Sequence, residues 1–362
     1  MAKKRKLLFV AGARPNFMKI APLIRECEAR SELFDYVLVH TGQHYDSAMS
    51  DVFCSELGIP KPAYNVEPGG GNHSKQSAEI MEKFHEVCEK ELPDCVVVVG
   101  DVNSTLACSI VAKKLLIKVA HIEAGLRSGD RTMPEEINRL VTDAISDYFF
   151  VTEPSGVNNL VREGHSPEKI FFVGHVMIDN LFYEYRKNEG IKSKLPNDFS
   201  SVYGVVTLHR PSNVDDRQVL SELVAALDAV SEKLPLFFPV HPRTKKRLEE
   251  FKLELSERIR VIDPLGYRDF LNLWKNAKLM LTDSGGLQEE TTALGIPCLT
   301  LRTTTERPIT IDSGSNFLVG TDPQDIIEAA NKTLGLDHKF GRPELWDGDA
   351  SIRIFDILQD AI

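Results

Sequence analysis

Between His121 and Arg139 the chain reads HIEAGLRSGDRTMPEEINR, which places Glu123, Arg127, Asp130, Arg131, Glu135, Glu136 and Arg139 within a few turns of chain. Carboxylates and guanidiniums crowded together shift one another's pKa, which general acid–base chemistry requires. Asp101 belongs with them, because it follows the apolar run Cys95 to Val99 as Glu123 follows the run that begins at Lys118. An acid at the tip of a buried strand either caps the next helix or does chemistry. Asn103-Ser104-Thr105 can cap that helix, which leaves Asp101 for chemistry. Glu135 and Arg139 lie four apart and share a helix face. Pro134-Glu135-Glu136 is also an ordinary helix start, with Pro first and acids against the positive end of the dipole. Gly12-Ala13-Arg14-Pro15 and Lys19 add two cations after the first apolar run.

The second half of the chain carries a different signal. Asp283-Ser284-Gly285-Gly286 follows the apolar run Leu279 to Thr282 and opens a helical pattern. Glycines there let a ligand approach the backbone, and the free amides favour an anion such as a diphosphate. Glu290, one turn on, could accept two hydrogen bonds from a ribose diol. Arg302 and Arg307 follow the next strand and could complete a phosphate clamp. His209-Arg210 and His241-Pro242-Arg243 end two further strands, so His209, His241 and Arg243 are candidates for an anionic, proton-handling site. The glycines do not form G-x-G-x-x-G, so a nicotinamide cofactor is not expected. Acids on one half and a diphosphate cradle on the other suggest chemistry on the sugar of a nucleotide sugar. The C2 proton beside an acetamido group is weakly acidic. Its removal needs a placed base, a cation and a departing diphosphate, and inversion needs a second acid on the opposite face.

The elements that must position these groups alternate. Strands are predicted at Leu7 to Ala11, Tyr36 to His40, Cys95 to Val99, Lys118 to Ala120, Tyr148 to Val151 and Ile170 to Val173, with helices between most of them. The rhythm restarts at Tyr203 to Leu208 and continues through Leu236 to Val240, Ile259 to Ile262, Leu279 to Thr282 and Cys298 to Leu301. This is the α/β pattern of two Rossmann-like, doubly wound parallel sheets, expected to face each other across a cleft. Gly174-His175 reads as a hinge, giving domains 1–174 and 175–350, with a last helix over 351–362 expected to pack back on the first. The stretch GIPKPAYNVEPGGGNH, Gly58 to His73, reads as a ligand-facing loop.

Composition narrows the partners. A chain of 362 residues suits two domains. Its net charge of −10 carries no basic stripe, which argues against nucleic acid or an anionic membrane as partner but not against a small anionic ligand. The six cysteines form no C-x-x-C pair, as expected of reduced thiols in a cytoplasmic protein. The ten histidines lack metal-ligand spacing, so no metal is expected. The apolar run after the basic N-terminus is too short for a signal peptide, and no stretch approaches membrane-spanning length.

Eight motifs, in order along nearly the whole chain, resemble those of the non-hydrolysing UDP-N-acetylglucosamine 2-epimerases. They are GARPNFMK from Gly12, TGQH from Thr41, GDVNST from Gly100, HIEAGLRS from His121, MPEEINR from Met133, TLHRPSNVD from Thr207, TDSGGLQEE from Thr282 and TTERP from Thr304. The resemblance implies the two-domain GT-B fold, a homodimer, and a reaction that eliminates UDP to a 2-acetamidoglucal and re-adds it with C2 inverted. It puts catalytic acids on Asp101, Glu123 and Glu135, with His209 among the site residues. Phosphate and sugar contacts fall on Arg14, Lys19, Arg139, His209 and Arg307. Uridine and diphosphate contacts fall on Leu265, Phe270, Ser284, Gly285, Gly286 and Glu290. Three departures stand out. Gly12-Ala13-Arg14-Pro15-Asn16 replaces the usual Gly-Thr-Arg-Pro-Glu, and Gly174-His175 replaces Gly-Asn. Asp46 stands where members activated by a second UDP-sugar have Gln, and Glu67 to His73 lacks their Arg, so strong activation by substrate is not expected. The Gln43-to-Asp46 and Gly71-to-His73 regions also resemble relatives acting on UDP-2,3-diacetamido uronic acids. That substrate is the alternative, and a catalytically silent UDP-sugar binder is a third reading.

Overall fold

The computed structural model describes residues 3–42, 54–55, 57–69, 71–188, 202–336 and 340–362. The stretch Gln43 to Asp46, most of the helix expected to lead into Leu57, and the polar segment beyond Asn188 lie outside them. The described chain divides into two compact units, Met1–Asn180 with Glu344–Ile362, and Leu181–Pro343.

The first unit is built on seven strands: β1 (Arg5–Ala11), β2 (Phe34–His40), β3 (Tyr64–Asn65), β4 (Cys95–Val99), β5 (Lys118–Ile122), β6 (Tyr148–Val151) and β7 (Ile170–Phe172). They form one sheet in the order β3-β2-β1-β4-β5-β6-β7, and every pairing is parallel. Parallel crossovers put helices on both faces, so the strands must be apolar on both. β4 reads CVVVV and is buried throughout. Its Cys95, Val97 and Val99 join the core on one face, with Leu7, Phe9 and Ala11 of β1. Val96 and Val98 join the other, with Leu8 and Val10. The last helix, Ala350–Ala361, packs on the first of these cores through Ile354, Phe355 and Leu358, and Phe355 meets Phe34 edge-on at 5.1 Å.

The second unit has six strands: β8 (Gly204–Thr207), β9 (Leu236–Pro239), β10 (Ile259–Ile262), β11 (Leu279–Thr282), β12 (Cys298–Thr300) and β13 (Asn316–Leu318). Their order is β10-β9-β8-β11-β12-β13, again all parallel. Both sheets are Rossmann-like and doubly wound. The strand order reverses once in each, between β1 and β4 and between β8 and β11. Loops leaving the carboxyl ends of those strands diverge, which is where open α/β sheets bind ligands.

Several of the described elements were not expected, the short helices Pro211–Val214 and Pro308–Asp312 and the 3-10 turn Pro167–Lys169 among them. Two residues of the loop read as ligand-facing pair with β2 as β3. Pro154–Arg162 and Val176–Lys187 are helices, and Asn316–Leu318 is a strand. The helix Asn103–Lys114 begins at Val102 without a side-chain cap, so the expected cap from Asn103 to Thr105 does not form. Asn103 instead donates to Gln76 at 2.6 Å, and Thr105 Oγ1 donates to the Val99 carbonyl at 2.9 Å.

Gly174, after β7, has φ of +88°, and a Cβ there would lie 2.0 Å from the Leu345 carbonyl oxygen. Gly164 has φ of +91° with open space around it. We expect Gly164→Ala to cost about 1–2 kcal/mol, the strain of a left-handed backbone alone. Gly174→Ala should cost more than about 3 kcal/mol, because backbone must also move. Urea unfolding of the two variants checks this, and equal losses would mean that Leu345 does not pack there.

Candidate active site

In the first unit the polar groups gather where β1, β4 and β5 end. Asn16 stitches two of these ends together. Its Oδ1 accepts from the amides of Gly12 (3.2 Å) and Ala13 (2.8 Å), and its Nδ2 donates to the Val99 carbonyl at 3.2 Å. Beside it, Lys19 Nζ donates to Glu123 Oε2 at 2.6 Å, and both side chains are more than nine-tenths buried. The chain leaves β4 through Gly100 at φ +70° and leaves β5 through Glu123 at φ +68°. A left-handed glutamate is uncommon and directs attention to function. His175 Nε2 lies 3.7 Å from the other oxygen, Glu123 Oε1.

Asp101 is held separately. Arg139, from the helix Pro134–Ile145, ion-pairs with the Asp101 carboxylate and donates through Nη1 to Glu136 Oε2 at 3.0 Å. Glu136 is 2% exposed and also accepts from the amides of Ser128 (2.9 Å) and Gly129 (3.0 Å). Burial would raise its pKa, but those amides and Arg139 outweigh burial and hold it below the ordinary carboxylate range. Glu135 is exposed on the same helix. The structure therefore joins Arg139 to Asp101 and Glu136, not to Glu135. The side chain of Arg14 is outside the described set, although its backbone opens the helix Arg14–Ala29.

Beneath these groups lies a hub that sequence reasoning missed. Asp143 is wholly buried and accepts from His121 Nδ1 (2.6 Å), Arg127 Nη2 (2.7 Å) and the Gly125 amide (3.0 Å). The other His121 nitrogen donates to the Gly100 carbonyl at 2.9 Å. Burial pushes Asp143 up, while His121 and Arg127 more than reverse it, so it stays ionised. His121 thereby ties the turn that carries Asp101 to the strand that carries Glu123.

In the second unit, His209, His241, Leu265, Phe270 and Ser284 line one pocket of about 220 Å³, with Thr207 and Leu287 among its other walls. Asp283, wholly buried, accepts from the amides of His209 and Arg210 at 2.9 Å each and from His209 Nδ1 at 2.8 Å. Burial would raise Asp283, yet the imidazole and the amides keep it below its ordinary value. The helix Gly285–Leu294 starts with Gly285 and Gly286 at the mouth of this turn, and a Cβ on Gly285 would meet nothing. His241 caps the helix Pro242–Phe251, its Nδ1 accepting from the Arg243 amide at 3.2 Å. Arg243 itself is exposed and ion-paired with Asp215. Arg307 pairs with buried Glu289, and Arg302 forks onto Glu306 at 2.8 and 3.1 Å. Glu290 is 4% exposed and accepts from the Tyr267 hydroxyl at 2.7 Å. Among the described residues no cluster of three or more His, Cys, Asp and Glu could hold a metal ion.

The sequence profile described as UDP-N-acetylglucosamine 2-epimerase matches residues 25–359. The chain is 43% identical over 367 residues to a UDP-N-acetylglucosamine 2-epimerase of Methanocaldococcus jannaschii, covering 98% of each. It is 40% identical over 357 residues to a UDP-2,3-diacetamido-2,3-dideoxy-D-glucuronate 2-epimerase of Pseudomonas aeruginosa, covering 98% of this chain and 99% of that one. A crystal structure of the Methanocaldococcus jannaschii UDP-GlcNAc 2-epimerase in complex with UDP-GlcNAc and UDP superposes with a TM-score of 0.83 at 42% identity, over 98% of this chain and all of that one.

Burial pushes the Glu290 carboxyl up from an ordinary 4.5 to about 7, with the Tyr267 hydroxyl acting against it and Glu289 adding to it. The folded protein thus keeps a proton that the unfolded chain releases between those pH values. That proton favours folding fully below about pH 4.5, and the benefit is lost as pH rises to 7, a swing of about 3 kcal/mol. Glu290→Gln, neutral throughout, should match the parent at pH 4.5 and exceed it by up to about 3 kcal/mol at pH 8. Denaturant titrations at the two pH values check this, and a gap that does not change with pH would remove the argument.

Proposed function

The chain belongs to the UDP-N-acetylglucosamine 2-epimerase family, and from that premise we propose that it interconverts UDP-GlcNAc and UDP-ManNAc. It is an isomerase. The observation that carries the reading is the pairing of the buried Glu123 with Lys19 in one unit, and the Gly285–Gly286 helix start beside the His209–Ser284 pocket in the other.

In the proposed reaction a carboxylate takes the C2 proton. The C2–H electrons become the C1–C2 double bond of 2-acetamidoglucal, and the C1–O electrons leave with UDP. A phosphate oxygen of UDP then adds back to C1, and C2 receives a proton on the opposite face. Asp101 is assigned as base, with Glu123 and Glu135 returning the proton or orienting the base. Their environments support different duties. Asp101 is a third exposed and ion-paired, Glu123 is sealed against Lys19, and Glu135 is exposed. Arg139 beside Asp101 and Lys19 beside Glu123 are the cations that these two acids meet. Lys19 and Arg139, with Arg14, are assigned to the sugar and diphosphate, and His209, with the second acid, to proton handling.

In the second unit the amides of Ser284, Gly285 and Gly286 would face the diphosphate at the positive end of their helix. Leu265 and Phe270 would flank the uracil, and Glu290 would exchange its Tyr267 bond for the ribose hydroxyls. Arg307, His241 and Arg243 complete the assigned binding set. No cofactor is required, because the electrons return to the carbon they left. A cytoplasmic homodimer is the expected form, checked by sedimentation. The diacetamido uronate is the second substrate reading, favoured by the 40% identity to the Pseudomonas aeruginosa enzyme.

Incubation with UDP-GlcNAc in deuterium oxide should give UDP-ManNAc bearing deuterium at C2, read by proton NMR. Asp101→Asn, Glu123→Gln and Glu135→Gln should each lower kcat by about 100-fold or more. Preserved deuterium incorporation in all three would defeat the assignment. Conversion of the diacetamido uronate but not of UDP-GlcNAc would move the substrate to the second reading.

A further inference from the structure

His175 has no place in the assignment above, yet it is sealed against one of its acids. It stands where the resemblance leads one to expect Asn. The imidazole is 2% exposed. Its Nδ1 accepts from the Met177 amide at 3.2 Å, so the ring carries its hydrogen on Nε2. Nε2 is the atom that faces Glu123 Oε1 at 3.7 Å. The ring plane is fixed by Trp346, which meets it edge-on at 5.3 Å and is itself anchored by its Nε1 donating to the Thr152 carbonyl at 3.1 Å.

We propose that His175 is a positioning residue for the epimerisation, acting through Glu123. Lys19 holds Oε2 by a hydrogen bond, and the Nε2–H of His175, 3.7 Å from Oε1 and so beyond hydrogen-bond length, acts on that oxygen as a nearby dipole. Glu123 is itself left-handed, so its backbone offers one fixed aim, and the two side chains that face its oxygens act on that aim. A carboxylate oxygen has two lone pairs, so the hydrogen bond from Lys19 still leaves sites for the proton in transit. The groups that face this arrangement are Lys19 and Glu123, Asp179 one turn along the helix Val176–Lys187, and the Asp347–Arg353 pair beside Trp346. Asp179 is pushed up to about 6 by burial, against the Ser351 and Ala350 amides. His175 therefore lies near two buried carboxyls, Asp179 anchored on the Ala350 and Ser351 amides and Glu123 paired with Lys19.

The inference rests on the assignment of Glu123, so the test separates the two. His175→Leu should lower kcat about 100-fold with KM for UDP-GlcNAc within about twofold. His175→Asn, which restores an N–H donor, should recover about tenfold of that loss. If either variant fails to fold, judged by circular dichroism and thermal unfolding, His175→Gln takes its place. In the Glu123→Gln background, His175→Leu should cost no further activity, measured by deuterium entry at C2. An equal loss in both backgrounds, or a loss carried mainly by KM, would overturn the role of His175 while leaving Glu123 in place. Wild-type kcat in Glu123→Gln would remove the Glu123 assignment and this inference with it.

Discussion

A parallel sheet can reverse its strand order only by sending successive crossovers to opposite faces, and the backbone is left uncovered where they part. The chain meets this constraint twice. Between β1 and β4 the opening lies at the turns of Gly12 and Gly100, and between β8 and β11 at those of Leu208 and Asp283. Nearly every buried charge described above lies at one of these two openings. The chemistry of the protein is thus located by topology before any particular side chain is chosen.

What the side chains add is control of charge, and the two units do this differently. The first pairs Glu123 with Lys19, Asp101 and Glu136 with Arg139, and Asp143 with His121 and Arg127. An unpaired buried carboxylate costs several kcal/mol, so these pairs are what allow charge to persist beneath the surface. The second unit pairs Glu289 with Arg307, but serves Asp283 and Glu290 with neutral donors and one imidazole. Asp283 collects amides and His209 and stays charged, whereas Glu290 has a single tyrosine hydroxyl and drifts toward neutrality. Two carboxyls seven residues apart are thereby set to opposite behaviour by their surroundings alone.

The strands were legible because burial on both faces leaves unbroken apolar runs such as CVVVV, and the helices because Pro and acids mark their starts. What escaped was short or polar. β3 has two residues on the sheet edge, and β13 opens with Asn316, buried only because Thr300, Thr310 and Gln288 satisfy it. Within the site, the motifs were readable but the pairings were not. A period of 3.6 lets Arg139 meet an acid three or four residues back. The amides of Ser128 and Gly129, brought in by the loop, selected Glu136 over Glu135. Likewise nothing in the spacing of Asp143 from His121 or Arg127 announces a shared carboxylate. These are tertiary choices among partners that sequence leaves equivalent.

The turns after β4 and β5 show how a fold and an activity divide one piece of backbone. Both strands end in a left-handed residue, Gly100 at +70° and Glu123 at +68°. At Gly100 a Cβ would stand 3.6 Å from Lys19 Nζ and 3.7 Å from Glu123 Oε2, which is ordinary contact, so glycine answers the conformation and not the space. The same conformation at Glu123 would be easier for glycine by about 1–2 kcal/mol. A glutamate there surrenders that stability and, being buried, also requires Lys19 and His175 around it. Local propensity, burial and charge all speak against this residue, and the surroundings are built to overrule them. A position that opposes the fold on three counts and is held by dedicated partners is explained by what its carboxylate does, not by what it holds together.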